Sequence, residues 1–280
     1  MIDNKKLLRC KKKCKDKKSK LSNFCKRRCN TNIPFVQKLE TKLLTYDAKI
    51  RNRSLNFIRL GKDNDGGYVI PIELIEVTDV LMGYGISDDI SFERDFTKRY
   101  NKTSYGFDCG IKNIETGDLN CHFLSECIGT SDYLYNNQVL SGKISSFSEQ
   151  RQRLKLINKK ILIKMDIEGA EYEVIDDILK YSKDITGIVI EIHHIKNSMF
   201  QEKILNLLYS IDQNFILVHL HGNNGYCEAV YNIPNTIELS YINKNLVDYY
   251  QISSNQKHPL PIDQPCIKYK PDCEFEIKLE

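Results

Sequence analysis

Two carboxylates, Asp166 and Glu168, stand two residues apart directly after the apolar run Ile161-Leu162-Ile163-Lys164-Met165. The run reads as a buried strand. From near Ala170, Tyr172, Val174, Ile175, Ile178 and Leu179 follow at spacings that make one apolar helix face. Acids at the carboxyl end of a strand in an α/β sheet lie where such sheets bind ligands, although they also favour the positive N-terminus of the next helix. A second reactive pair, His193 and His194, closes the strand-like segment Ile188-Val189-Ile190-Glu191-Ile192. An imidazole titrates near neutral pH and suits a general base, and Glu191, Asp166 and Glu168 would orient it or a substrate hydroxyl. Adjacent side chains diverge, so one imidazole serves; His193 is favoured over His194. With histidine these acids could also hold a divalent cation, but no compact ligand spacing appears and no metal is assigned.

The elements that must position these groups alternate. Strands are expected at Val77 to Gly83, Ser104 to Phe107, His122 to Ile128, Ile161 to Met165 and Gly187 to Ile192. Helices are expected at Phe35 to Ile50, Ser91 to Tyr100, Phe147 to Asn158 and Met199 to Ile211, and Phe215 to Leu220 with Thr236 to Ile242 forms a final antiparallel pair. Strands separated by helices imply an α/β fold with a mostly parallel, doubly wound sheet. Phe57 to Leu60 and Tyr68 to Ile70 flank Gly61-Lys62-Asp63-Asn64-Asp65-Gly66-Gly67, a hairpin turn that wants positive φ. A calcium loop fails there, because the register puts Gly61 at the first ligand position and Ile72 at the bidentate acid.

In such a sheet the first strand-to-helix turn receives the nucleotide-like ligand. Here it is Gly83-Tyr84-Gly85-Ile86-Ser87-Asp88-Asp89. Two glycines allow close backbone approach, and Ser87 to Asp89 can cap the following helix. A dinucleotide loop wants a third glycine and bare amides for phosphate; Asp88 and Asp89 suit a cationic amino group instead. Asp108 ends the second strand, where a carboxylate accepts from ribose hydroxyls. Together these favour S-adenosylmethionine over NAD.

Net charge is +4, yet residues 1–30 hold 13 Lys and Arg against 2 acids, leaving a body of −7. The chain divides into a basic arm, 1–31, and a globular domain, 32–280. Residues 5–28 offer an electrostatic contact for a polyanion. In the arm Cys10 and Cys14, and Cys25 and Cys29, have helical spacing. The arrangement resembles a twin CX3C hairpin, is compatible with four-cysteine zinc, and is equally met by a disordered arm with free thiols. No apolar run of membrane-spanning length and no secretory apolar region appear. That points to a cytoplasmic protein whose ten cysteines are mostly free thiols; the sequons at Asn52 and Asn101 then arise by chance.

The ordered segments RLGKDNDGGYVI (59–70), GYGISDDISFE (83–93), YGFD (105–108), KMDIEGAEYEVI (164–175) and IVIEIHH (188–194), with the tail His258-Pro259-Leu260-Pro261-Ile262-Asp263, resemble the FkbM-type family of S-adenosylmethionine-dependent methyltransferases. The similarity runs from about Arg59 onward and is most specific at Asp166 to Glu171. It implies a Rossmann-like methyltransferase fold and methyl transfer, usually to oxygen, on acceptors from glycan sugars to macrolide hydroxyls. On this resemblance Gly83, Tyr84, Gly85, Ser87, Asp88, Glu93, Asp108 and Asp166 belong to the cofactor site. Tyr133, Tyr135, Asn136 and Asn137 fall where adenine is often contacted. Many members have an Asp-x-Gly-x-x-x-Gly first loop, from which Gly83-Tyr84-Gly85 departs; the first 30 residues match nothing in the family.

A sulfonium is a strong methyl donor, so a protein need only align donor and acceptor and remove the acceptor's proton. Carbohydrate hydroxyl methylation leads. Nucleic-acid methylation gripped by the basic arm follows, then a non-catalytic binding protein on the same scaffold. His219, His221, Asn223 and Asn224 form a further polar cluster, either a sugar-lining turn or an exposed hairpin.

Overall fold

The computed structural model describes residues 35–129, 143–227 and 233–278. The basic arm with Cys10, Cys14, Cys25 and Cys29, and the tyrosines and asparagines at 133–137, lie outside them.

An antiparallel hairpin, β1 (Phe57–Leu60) and β2 (Tyr68–Pro71), precedes the central sheet. Its turn takes positive φ at Gly61, Asn64 and Gly66. The sheet contains β3 (Val80–Tyr84), β4 (Thr103–Phe107), β5 (Cys121–Leu124), β6 (Ile161–Met165), β7 (Ile185–Ile192), β8 (Phe215–Gly222) and β9 (Ile237–Asn243). Their spatial order is β5-β4-β3-β6-β7-β9-β8. All are parallel except β9, which pairs antiparallel with both β7 and β8. Chain progress reverses between β3 and β6, so a crevice opens at their carboxyl ends. This is the expected Rossmann-like α/β sheet with its antiparallel strand near one edge.

Alternation along each strand feeds two cores. Met82, Tyr84, Ile163, Met165, Ile188 and Ile190 face one side; Leu81, Leu162, Val189, Ile216 and Ile242 face the other. The first side is covered by α2 (Phe147–Arg153), α3 (Glu171–Leu179) and α4 (Gln201–Asp212). The second is covered by α1 (Ser91–Tyr100), through Phe92 and Phe96, and by the hairpin. A reciprocal Ser146–Glu149 capping box starts α2. Asp89 accepts from the Ser91 amide at the start of α1.

Three expectations are corrected. The helix read over Phe35 to Ile50 covers only 35–42, and Tyr46–Ile50 is a strand paired with Tyr249–Ile252. Local periodicity loses there to a distant partner, since Gln256 holds both the amide and hydroxyl of Thr45. The segment read as one strand over His122 to Ile128 splits, its second half (Glu126–Ile128) pairing with Lys143–Ser145. Finally, four of the six described cysteines are paired: Cys109 with Cys127 and Cys227 with Cys273, at Cα separations of 4.8 and 5.4 Å. The fold brings these pairs within bridging range; Cys121 and Cys266 are buried free thiols.

Candidate active site

The glycine loop leaves β3 against β6. Gly85 has φ +77°, and a Cβ there would stand 1.6 Å from the Asp166 carbonyl oxygen, so only glycine lets the two strand ends meet. Asp108 follows β4, where its Oδ2 accepts from the Ser87 amide at 2.8 Å and its Oδ1 from the Gly110 amide at 2.7 Å. That carboxylate fixes the loop, whose Ser87 carries φ +50°. Asp88 is exposed. Glu93 reaches from α1 to Gly83; it is 1% exposed, and its Oε1 has no hydrogen-bond partner. Burial raises its pKa, partly offset by Lys164. The Lys164 ammonium is itself buried, donates to the Gly85 carbonyl at 3.1 Å and lies over the Tyr68 ring.

Across the crevice, His193 emerges from β7 into a ring of acids. Its Nε2 lies 3.5 Å from Glu168 Oε2, 3.6 Å from Asp166 Oδ1 and 3.7 Å from Glu191 Oε1; its Nδ1 lies 3.3 Å from Glu171 Oε1. Positive φ at Glu168 (+57°) and Gly169 (+100°) turns the chain from β6 into α3, setting Glu168 and Glu171 on either side of the ring. Burial works to lower the imidazole pKa, but Glu171, with Asp166 and Glu168, outweighs it and raises the value. Tyr68 in the hairpin donates to Asp166 Oδ2 at 2.8 Å, with Glu191 Oε2 at 3.4 Å. Asn223 donates to Glu191 Oε1 at 3.2 Å. Glu191 is driven towards its neutral form by burial and then by the charges of Asp166 and Glu238.

Two expected site residues serve the scaffold instead. Tyr84 points to the helix-covered core, 1% exposed, stacked on Phe107 and bonded through its hydroxyl to Gln150; its alternation with Met82 puts the side chain away from the loop's open side. His194, at φ +64°, turns from the acids to pack on Phe200 with ring centroids 4.7 Å apart. The structure thus gathers Asp166, Glu168, Glu191 and His193 and separates His194 from them. Sequence reading missed Tyr68, Lys164, Glu171 and Asn223. The signal for Glu171 was its place as the first residue of α3, three residues after Glu168; Tyr68 shares its strand with no other polar side chain.

The cluster at His219 to Asn224 is neither a sugar-lining turn nor an exposed hairpin, because the C-terminal segment covers it. His221 is buried between Glu238 (3.0 Å) and Asp272 (3.1 Å), and His219 meets Asp263 at 2.9 Å. Cys266 donates to Glu238, and Asn224 donates to the carbonyls of Ile267 and Lys270. The same segment reaches the hairpin, where Gln264 and Pro265 accept from Asn64.

The segment that carries Asp166 and His193 is also the part of the chain that is similar to a known family. Residues 140–226 match the methyltransferase FkbM domain. The match spans β6 and β7 with the whole acid ring around His193, as the motif at Asp166 to Glu171 implied, and it supports a methyltransferase. FkbM-type methyltransferases in general draw their methyl group from S-adenosylmethionine. No curated protein matches the chain. Among solved structures it is similar to a fibrillarin/Nop5p complex, at 9% identity and TM-score 0.34 over 59% of this chain and 73% of that one. A second is a 30S ribosomal A1408 methyltransferase from an uncultured bacterium, at 8% identity and TM-score 0.25 over 66% and 100%. No helix among the described residues is long and apolar enough to cross a membrane.

Proposed function

We propose that this FkbM-type chain transfers the methyl group of S-adenosylmethionine to a hydroxyl, with a carbohydrate or glycosylated small molecule as acceptor. The observation that carries the reading is the meeting, at one sheet edge, of the Asp108-braced glycine loop and the acid-ringed His193. The loop and Asp108 supply the cofactor end, Asp108 toward the ribose and the acids toward the cationic methionine end. The cluster of His193, Asp166, Glu168 and Glu191 supplies the acceptor end. In the reaction the S–CH3 bond breaks as the O–CH3 bond forms, and the acceptor's proton passes to this cluster. Asp166 and Glu168 line that end, an arrangement that opposes a phosphate backbone and favours neutral polyols. The two disulfides favour an oxidising compartment over the cytoplasm expected from the sequence.

Calorimetric titration with S-adenosylmethionine and S-adenosylhomocysteine, alongside NAD, tests the cofactor. Micromolar binding of the first two, lost in Asp108→Ala, supports the reading. Binding of neither sinks it. Radiolabelled methyl transfer to a panel of oligosaccharides and RNAs then tests the acceptor, and labelling of RNA alone would overturn the carbohydrate assignment.

A further inference from the structure

A cleft of about 480 Å³ is lined on one side by the small antiparallel sheet of Tyr46–Ile50, Arg53–Ser54 and Tyr249–Ile252, and on the other by β1, β8 and the C-terminal segment. It shares no residue with the glycine loop or the acid ring, and its size is that of a small-molecule site, roughly 300–1,000 Å³. Register builds the first wall. Asp47 stands opposite Gln251, and Lys49 stands opposite both Tyr249 and Ser54, so side-chain alternation puts all five on one face of that sheet. All five are exposed. The Tyr249 ring is 53% exposed, and its hydroxyl donates to Gln251 Oε1 at 2.6 Å. That bond steadies the ring and leaves the Gln251 amide N–H groups unengaged among the described residues. The second wall is mixed. Phe57 and Val218 supply apolar surface, and the Phe57 ring lies 5.9 Å from the ring of His219, which is committed to Asp263. His258 is 4% exposed, and neither ring nitrogen completes a hydrogen bond, although the Leu220 backbone lies near enough to act on it. An orphaned buried polar group calls for a partner. Burial keeps this imidazole neutral, so it has one donor and one acceptor to offer.

The chemistry of these walls selects the occupant. Asp47 and Lys49 cancel in charge, and no other Asp, Glu, Lys or Arg lines the cleft, so it has no net attraction for a phosphate or a carboxylate. A purely apolar ligand would strip water from Asp47, Ser54, Gln251 and Asn255 and return no hydrogen bond. A sugar ring answers both demands. Its C–H faces suit the rings of Tyr249 and Phe57, and its hydroxyls both donate and accept at the edges. We infer that this cleft binds a neutral sugar unit, held against Tyr249 and Phe57 and hydrogen-bonded by Asp47, Gln251 and Asn255, with a hydroxyl toward His258. The site needs no methyl transfer to exist. Where the acceptor is a glycan, it holds a unit other than the reacting one.

The test is saturation-transfer NMR on the full chain with neutral probes: methyl glycosides of glucose, galactose and mannose, N-acetylglucosamine, lactose and maltose. Expected is transfer to at least one probe with a Kd below about 10 mM, and at least tenfold weaker binding in Tyr249→Ala and in Gln251→Ala. Both positions are exposed, and thermal melts confirm that both variants fold. Asp166→Asn, in the acid ring, should bind the probe as the wild type does. No transfer to any probe, or binding indifferent to either cleft variant, would overturn the proposal. So would binding lost in Asp166→Asn and kept in the cleft variants, which assigns the sugar to the acid ring instead. Titration with S-adenosylhomocysteine separates this claim from methyl transfer. A sugar bound through Tyr249 with no cofactor binding upholds the cleft and sinks the reaction, and cofactor binding with no sugar does the reverse.

Discussion

The Glu93 carboxylate occupies the space that a side chain at position 83 would need: a Cβ on Gly83 would stand 1.9 Å from Glu93 Oε1. The glycine is thus required by an acid ten residues later, on α1, rather than by its own backbone angles. Gly83→Ala should cost about 1–3 kcal/mol. Most of that loss should vanish in a Glu93→Ala background. A double-mutant cycle by denaturant unfolding should show a coupling of about 1 kcal/mol or more; additive losses would refute the contact.

The two adjacent histidines should separate cleanly in kinetics. His193→Ala should lower kcat by about 100-fold or more. His194→Ala removes packing on Phe200 and Gly169, so it should lower the melting temperature while leaving kcat within a few-fold. Comparable kcat losses in both would refute the assignment.

Stability should peak near pH 6.5. Burial lowers the His221 pKa, but hydrogen bonds to Asp272 and Glu238 overcome this and hold it at about 10, with Asp263 adding to their effect. Its contribution is complete below the unfolded value of about 6.5 and is lost as pH rises towards 10. His258 has the opposite sign. Burial depresses it to about 4, with His219 and His221 lowering it and Asp263 and the Leu220 backbone opposing them. The unfolded chain therefore binds the extra proton between about 6.5 and 4, and stability falls as pH drops through that window. Melting midpoints across pH 4–10 check this, and His221→Gln should flatten the alkaline limb.

Reduction of the disulfides should be costly. They close loops of 18 and 46 residues, for which chain entropy sets ceilings of about 3 and about 4 kcal/mol. Cys109→Ser and Cys273→Ser, compared with wild type with and without reductant, should each remove a matching share.

Much of the scaffold was legible because its signals are local. The run at Ile161–Met165 and the helix at Ser91–Tyr100 carry their boundaries in apolar periodicity and flanking polar residues. So does the β3-to-α1 turn. What escaped depends on partners far along the chain. Tyr68 meets Asp166 across 98 residues, and Gln256 takes Thr45 out of a helix across 211. The cysteine pairs have no motif to announce them. Tyr84 could have been placed, since it shares strand parity with the core residues Val80 and Met82.

The C-terminal segment sets an order on biogenesis. Every strand of the central sheet is synthesised before Asp263, Cys266, Asp272 and Cys273 exist. Until they arrive, His219 lacks Asp263 and His221 keeps only its partner Glu238, and the cluster stays open to water. A nascent chain that ends before residue 263 therefore has its β8–β9 pair in place but uncovered. Maturation finishes only after the chain is nearly whole, when an external two-electron oxidant joins the thiols of Cys227 and Cys273 in the disulfide that seals it.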